Sequence, residues 1–162
     1  MSYLFNQFGC KLFIVFLMLG VFGGCSNFEK IPVTPNKEIA SKLLSEIKKL
    51  ERYIALAVIA ATPANVRGNV KEIKRELEFL EKGKEESSFI TNAQNSLGKY
   101  IDSNDPKYWR SSWKLLLHGI EEFSDFSRSS LWNDLVPPKE STQVISQLDK
   151  LKSMMKEIRG NK

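Results

Sequence analysis

The sequence predicts an all-α protein: an up-down four-helix bundle followed by a fifth, C-terminal helix and preceded by a lipoprotein signal peptide. Apolar residues recur at spacings of three and four in five segments, which is the period of a helix that buries one face. No strand pattern competes with these segments. The connections between the first four are short, which favours antiparallel neighbours in a bundle.

Residues 1–24 are typical of a secretory signal that ends at a lipid-modified cysteine. An uncharged run from Leu12 to Gly24 follows Lys11, and it is too short to span a bilayer, which needs about 20 residues. Two glycines directly before Cys25 resemble a bacterial lipobox, in which the thiol is acylated and the chain is cut just ahead of it. We therefore expect the mature protein to start at Cys25 and to be anchored in membrane lipid. An ordinary signal or a short membrane anchor is the alternative.

The composition of the remaining chain predicts four parts. These are an extended tether at 25–36, a helical bundle at 37–132, a linker at 133–140 and an amphipathic helix at 141–160. The linker contains Pro137-Pro138, and because prolines cannot continue a helix we expect a stiff hinge there. The last helix is then separable from the bundle. Its apolar stripe either packs on the bundle or binds a partner or the lipid surface.

Within the bundle, the apolar period and the capping signals place the ends of the helices. The first helix is predicted at 37–61, with its nearly all-apolar last third the most buried part. The second runs over 63–82 and stops at Lys82-Gly83, and the third runs over 88–102. Asp105-Pro106 opens the fourth, and Ser141 or Thr142 caps the fifth. The predicted core comprises Leu43, Ile47, Leu50, Ile54, Val70, Ile73, Leu77, Leu97, Trp109, Trp113, Leu116, Ile120 and Phe123.

The charge balance and the cysteines limit the classes of partner. The chain has 24 basic and 19 acidic side chains, and Lys11 is the only one of them before Cys25, so the mature part carries +4. This charge is scattered along helical faces, which suits anionic lipid or an acidic partner rather than nucleic acid. The only cysteines are Cys10, inside the signal, and Cys25. The exported protein is therefore expected to have no disulfide and to depend on its apolar core.

The sequence offers few side chains for catalysis. His118 is the only histidine, and Glu122 follows one helical turn later, so a metal pair is conceivable. On a helix, however, His118 lies about 200° from Leu116 of the core stripe, which favours a solvent-exposed histidine instead. There is no nucleophile motif, glycine-rich phosphate loop or haem-attachment motif. We expect a protein that is not an enzyme and needs no cofactor or metal.

Two groups of residues are candidates for binding a protein partner. Trp109 and Trp113 fit the core better than an interface, whereas Tyr108 and Arg110 flank the apolar stripe and fit a partner surface. The fifth helix carries cations opposite its apolar stripe, a form that membrane-surface and partner helices share. These cations are Lys150, Lys152, Lys156 and Arg159.

Two short motifs resemble cyanobacterial lipoproteins of the photosystem II lumen. In the small assembly and repair lipoprotein, the third helix carries a Ser-Phe-x-Thr start and an Asn-Ser-Leu-x-x-Tyr continuation. This chain reads Ser88-Phe89-Ile90-Thr91 and then Asn95-Ser96-Leu97-Gly98-Lys99-Tyr100, with a shorter gap between the two halves. Arg67-Gly68 upstream also looks similar.

The mature start resembles the Q-type extrinsic protein of the same photosystem, which often begins Cys-Ser with Ile-Pro-x-Thr before its first helix. The matching residues here are Cys25-Ser26 and Ile31-Pro32-Val33-Thr34. The Trp and Gly-Pro-Leu elements of that family's second helix are missing. Both resemblances imply a non-catalytic accessory or assembly subunit on the lumenal side of the thylakoid membrane. The rival interpretation is an envelope lipoprotein of a non-photosynthetic bacterium that acts in adhesion or as a structural spacer.

Replacing Cys25 by alanine tests the lipid anchor. Each buried methylene of an acyl chain contributes about 0.8 kcal/mol to membrane binding, and without the thiol no chain can be attached. We expect Cys25→Ala to leave an uncleaved precursor or a soluble product, as read by membrane fractionation and mass spectrometry. A Cys25→Ala chain that still fractionates with membranes at the mature mass contradicts the anchor.

Overall fold

The structure of the protein is a computed structural model that describes residues 36–61 and 70–160. This part of the chain forms five α-helices: α1 (Lys37–Ala61), α2 (Val70–Ser103), α3 (Pro106–Phe126), α4 (Ser130–Leu135) and α5 (Pro138–Gly160). No strand occurs in these ranges, so the predicted all-α class is confirmed. The predicted signal peptide, Cys25, the tether up to Pro35 and the predicted helix start at Pro63 lie outside the described residues.

α1 has the bounds that the sequence predicts. Its first turn is capped by Asn36, whose Oδ1 accepts a hydrogen bond from the Glu38 N–H at 2.7 Å. The buried face runs from Ala40 to Ala61. The end of α1 is less buried than predicted, with Leu56 43% and Ile59 70% exposed. A helix that is apolar all round still turns one side to water unless neighbours surround it.

α2 is one continuous helix, so the predicted break at Lys82-Gly83 is wrong. Gly83 lies in the middle of α2 without the positive φ of a left-handed cap. It is buried, and a Cβ built there would lie 3.7 Å from the ring of Phe126. One glycine costs a helix only about 1 kcal/mol relative to alanine, which is too little to end a helix whose other residues, such as Phe79 and Phe89, are buried in the bundle.

The turn from α2 to α3 follows its sequence signals. Asn104 has φ of 58°, the left-handed conformation that ends helices and that asparagine tolerates. Its N–H donates to the Tyr100 carbonyl at 2.8 Å. Asp105 then caps α3 by accepting from the Lys107 N–H at 2.9 Å, with Pro106 in the first turn. The predicted start of this helix at Asp105-Pro106 is confirmed.

The stiff linker predicted at 133–140 is not present. α4 occupies Ser130–Leu135, and α5 begins at Pro138 rather than after Ser141 or Thr142. Proline suits the first turn of a helix, where its missing N–H costs nothing. Only Val136 and Pro137 separate the two helices, and the segment is therefore a tight turn.

α5 packs on the rest of the protein along most of its length. Its buried residues are Ser141, Val144, Gln147, Leu148, Leu151 and Met155. The Trp132 indole N–H of α4 donates to the Ser141 hydroxyl at 3.0 Å, which fixes the start of α5. The prediction of a separable last helix is therefore wrong, and its alternative, packing on the same bundle, describes the structure.

Ring contacts and ion pairs give the directions of α2, α3 and α5. Tyr100 meets Trp109 at one end of the α2–α3 pair, with ring centroids 5.6 Å apart, and Phe79 meets Phe126 at the other, at 5.9 Å. α2 and α3 are therefore antiparallel neighbours. α5 is antiparallel to α3, because Arg128 pairs with Asp149 at 3.3 Å while residues later in α5 lie beside residues earlier in α3. α1 packs against both α5 and α2.

Most of the predicted core is buried, and three residues of α2 are the exception. Val70 is 83%, Ile73 41% and Leu77 55% exposed, so their assignment to the core is wrong. In this part of α2 the face toward the bundle carries Phe79 and Gly83, on the opposite side of the helix from Leu77. The confirmed core residues are Leu43, Ile47, Leu50, Ile54, Leu97, Trp109, Trp113, Leu116, Ile120 and Phe123.

Two glycines in helices offer a matched test of the α2–α3 contact. A Cβ on Gly119 of α3 would overlap the Phe89 side chain of α2, whereas a Cβ on Gly98 would meet nothing within 4 Å. We expect Gly119→Ala to destabilise the protein by about 1–3 kcal/mol through overpacking. Gly98→Ala should stabilise it by up to about 1 kcal/mol. Urea unfolding followed by circular dichroism measures both, and equal effects of the two substitutions would contradict the close packing.

Candidate functional site

A groove between α3 and α5 contains most of the cations that the sequence analysis proposed for partner binding. We call it the basic groove. Its volume is about 130 Å³. Its residues are Leu116, Leu117, Ile120, Lys152, Met155, Lys156 and Arg159.

The arrangement of these side chains follows from helix geometry. Lys152, Lys156 and Arg159 are spaced four and three residues apart, so they share one face of α5. All three are exposed, and none makes an ion pair with a carboxylate of the described ranges. Leu116 and Ile120 belong to the core of α3, so the apolar lining of the groove is continuous with the core.

Arg110 extends the positive surface along α3. It is exposed and lies two turns before Leu117 on the same helical face. Tyr108 lies on the opposite face of α3, and the structure does not bring it into the groove. Its ring instead contacts the ammonium groups of Lys107 and Lys99, at 4.7 and 5.7 Å from the ring centroid.

Lys150, the fourth cation proposed on the last helix, has a structural role. Its Nζ pairs with Glu46 of α1 at 2.9 Å. Glu46 is 6% exposed, and its carboxylate also accepts from Lys49 at 2.8 Å and from the Gln147 amide at 2.8 Å. The same amide donates to the Glu46 carbonyl at 3.0 Å. This cluster joins α1 to α5.

The hydrogen bonds around Glu46 stabilise its charged form. They lower the pKa of this carboxyl from 4.5 to about 2, chiefly through the bond from Gln147 and then those from Lys49 and Lys150. This cluster is not among the sites predicted from the sequence. A signal for it was available, since Glu46 stands three residues after Leu43 and four before Leu50 on the buried stripe, where an acidic residue needs partners.

His118 lies where the sequence predicts, on the solvent side of α3. Its side chain is 80% exposed, and its Nε2 lies 3.5 Å from a Glu122 carboxylate oxygen. Within residues 36–61 and 70–160, no group of three or more His, Cys, Asp or Glu is placed to hold a metal ion. No helix in these ranges has the length and apolar composition needed to cross a bilayer.

Comparison with protein-family models, with curated protein sequences and with solved structures found no match to this chain.

The depressed pKa of Glu46 predicts how stability depends on pH. A carboxyl with a lower pKa in the folded state contributes stability above its unfolded value of 4.5, and this contribution is lost as the pH falls toward 2. We expect Glu46→Gln to lower the unfolding free energy at pH 7 by about 1–2 kcal/mol, since solvent screens the two half-exposed lysines. The difference from the wild type should shrink steadily between pH 5 and pH 2 in urea titrations. A difference that stays constant over that range would show that the ionised carboxylate does not stabilise the fold.

Proposed function

We propose that this protein is an exported, lipid-anchored, non-catalytic subunit that docks on a membrane complex through the basic groove. The observation that carries the proposal is the chemistry of that groove. Three cations on one face of α5, without carboxylate partners in the described ranges, lie beside an apolar floor. Exposed cations kept apart from carboxylates are free to pair with another molecule, and they steer an acidic partner toward the apolar contact.

The groove fits a segment of protein that combines acidic residues with an apolar side chain. Its volume of about 130 Å³ accommodates one aliphatic or aromatic side chain rather than a cofactor, since ligand pockets usually measure about 300–1,000 Å³. The floor formed by Leu116, Ile120 and Met155 supplies apolar contacts to that side chain. Lys152, Lys156 and Arg159, along the α5 side of the groove, are placed to pair with carboxylates that neighbour it in the partner's sequence.

The predicted lipid anchor makes a modest interface sufficient. Acylation of Cys25 would confine the protein to the membrane surface, where the effective concentration of a membrane-bound partner is high. The eleven residues from Cys25 to Pro35 span at most about 40 Å, which would keep the start of α1 within that distance of the bilayer.

Photosystem II is the complex that we propose as the partner, on the basis of the two motif resemblances. On that view the protein lies on the lumenal side of the thylakoid membrane. A source organism without photosystem II would exclude this partner and leave the role of an envelope lipoprotein.

Charge reversal in the basic groove tests the docking proposal. We expect the double variant Lys156→Glu and Arg159→Glu to reduce recovery of photosystem II core subunits at least about tenfold when the anchored chain is captured from solubilised membranes. Both side chains are exposed, so the melting temperature should stay near that of the wild type.

The matched control reverses two exposed cations of α1, Lys42→Glu and Lys48→Glu, which lie outside the basic groove. It carries the same change in net charge and should keep its partner. Equal loss of the complex in the two variants would indicate a general effect of charge, and full retention in both would exclude the groove as the docking site.

A further inference from the structure

The N-terminal part of α2 exposes apolar side chains on the side turned away from the bundle. Val70, Ile73, Leu77 and Leu80 are 83%, 41%, 55% and 36% exposed, and we call these four residues the α2 stripe. Phe79, two residues after Leu77, is 2% exposed and packs on Phe126 and Trp132. This part of α2 is therefore apolar on two opposite faces, and the bundle covers only one of them.

The spacing of the α2 stripe is that of a helix that pairs with another helix. Its members are separated by three, four and three residues, which is the seam of a two-stranded coiled coil. The same face continues beyond Leu80 through Lys84, which is exposed, and Ser87, which is half-buried. A second helix can therefore lie along this surface without displacing the described elements of the fold.

We propose that the α2 stripe is a homodimer interface, covered by α2 of a second copy in an antiparallel arrangement. The two helices pair Leu77 of each copy with Leu80 of the other, about a two-fold axis between these positions. Ile73 then faces the aliphatic stem of Lys84 of the second copy. A two-fold contact of this kind is closed, so assembly stops at the dimer.

The charges that flank the α2 stripe select this register. Lys74 and Glu81 lie on one side of the seam, seven residues apart, and Glu76 lies on the other. In the proposed register, Lys74 of each copy faces Glu81 of the other, which gives two symmetric ion pairs.

The two alternative arrangements bring like charges together. A parallel pair places Glu76 opposite Glu81 of the second copy on both sides. An antiparallel pair that aligns all four apolar residues places Lys74 opposite Lys74 and Glu76 opposite Glu76. Like charges at such positions disfavour pairing, so the register with complementary charges remains.

The interface is a modest one. Residues 70–87 would form six layers over about 27 Å of helix, at the small end of specific interfaces. The dimer should therefore form in a concentration-dependent way. Confinement of the chain to a membrane would favour it further, although the charge pattern of α2 does not depend on the function proposed above.

A charge-swap series in the full chain tests this dimer. Sedimentation velocity in a density-matched detergent measures the mass of protein per particle as a function of concentration. We expect Lys74→Glu to weaken dimerisation at least about tenfold, because it replaces both ion pairs by repulsion and leaves like charges together in the two alternative arrangements. Adding Glu81→Lys to Lys74→Glu should restore the wild-type dissociation constant to within about threefold, since the pairs re-form with reversed sign.

Two further variants separate the interface from general effects. Leu77→Lys should abolish the dimer and leave the circular dichroism spectrum and melting temperature nearly unchanged, because Leu77 is already 55% exposed. Lys114→Glu, an equal change of charge on the exposed face of α3, should dimerise as the wild type does. A wild-type chain that stays monomeric at all concentrations, or a double swap no better than Lys74→Glu alone, would overturn the proposal.

Discussion

The burial of Trp132 is the contact on which the arrangement of the helices depends most. Its ring is fully buried, with centroids 5.4–5.7 Å from those of Phe79, Phe123 and Phe126. These partners come from α2 and α3, and the indole N–H bonds to Ser141 of α5. One side chain on a helix of six residues thus joins three longer helices. Aromatic pairs of this geometry contribute roughly 0.5–1.5 kcal/mol each beyond the area they bury, so the short α4 is held by packing and not by its own helical propensity.

The polar cluster at Glu46 has the complementary role on the other side of α5. The aromatic pairs described above include no residue of α1, and the polar contacts from α1 to α5 are those of Glu46 with Gln147 and Lys150. A nearly buried carboxylate is tolerable because each of its oxygens is hydrogen-bonded. α5 is therefore fixed at its start by an aromatic cage and in its middle by a carboxylate. Its last turns carry the cations of the basic groove, so the geometry of that groove depends on both contacts.

The parts of the fold that local chemistry decides could be predicted from the sequence, and those that tertiary packing decides could not. α1 follows from its one apolar face, and the start of α3 follows from the cap at Asp105. The predicted break at Gly83 was wrong because a single glycine is a weak helix breaker, and the packing of the surrounding turns of α2 on the bundle decides that the helix continues. The predicted linker at 133–140 was wrong because α4 is held by the ring contacts of Trp132 with α2 and α3, and no local sequence pattern shows such contacts.

The assignment of Val70, Ile73 and Leu77 to the core was wrong for a different reason. Leu77 and Phe79 lie on opposite faces of α2, and the sequence alone does not show which of these faces is buried. Only the cations of the basic groove could be predicted from the sequence. The spacing of Lys156 and Arg159 places them together on α5, but their apolar floor comes from α3, and only the antiparallel packing of the two helices creates it. Lys150 looks equivalent in sequence and differs only through its contact with α1.

The placement of the three tryptophans has a consequence for optical measurements on this protein. Trp109 and Trp113 lie on α3 and Trp132 on α4, all almost fully buried, whereas α1 and α5 contain none. Intrinsic fluorescence therefore reports the solvation of the core, in which the tryptophans share one cluster with the buried face of α1. Fraying at helix ends that leaves this cluster closed would lower the far-ultraviolet ellipticity with little change in fluorescence. Disagreement between the two spectra during unfolding would therefore show that helix ends are lost before the core opens, with no label attached to the protein.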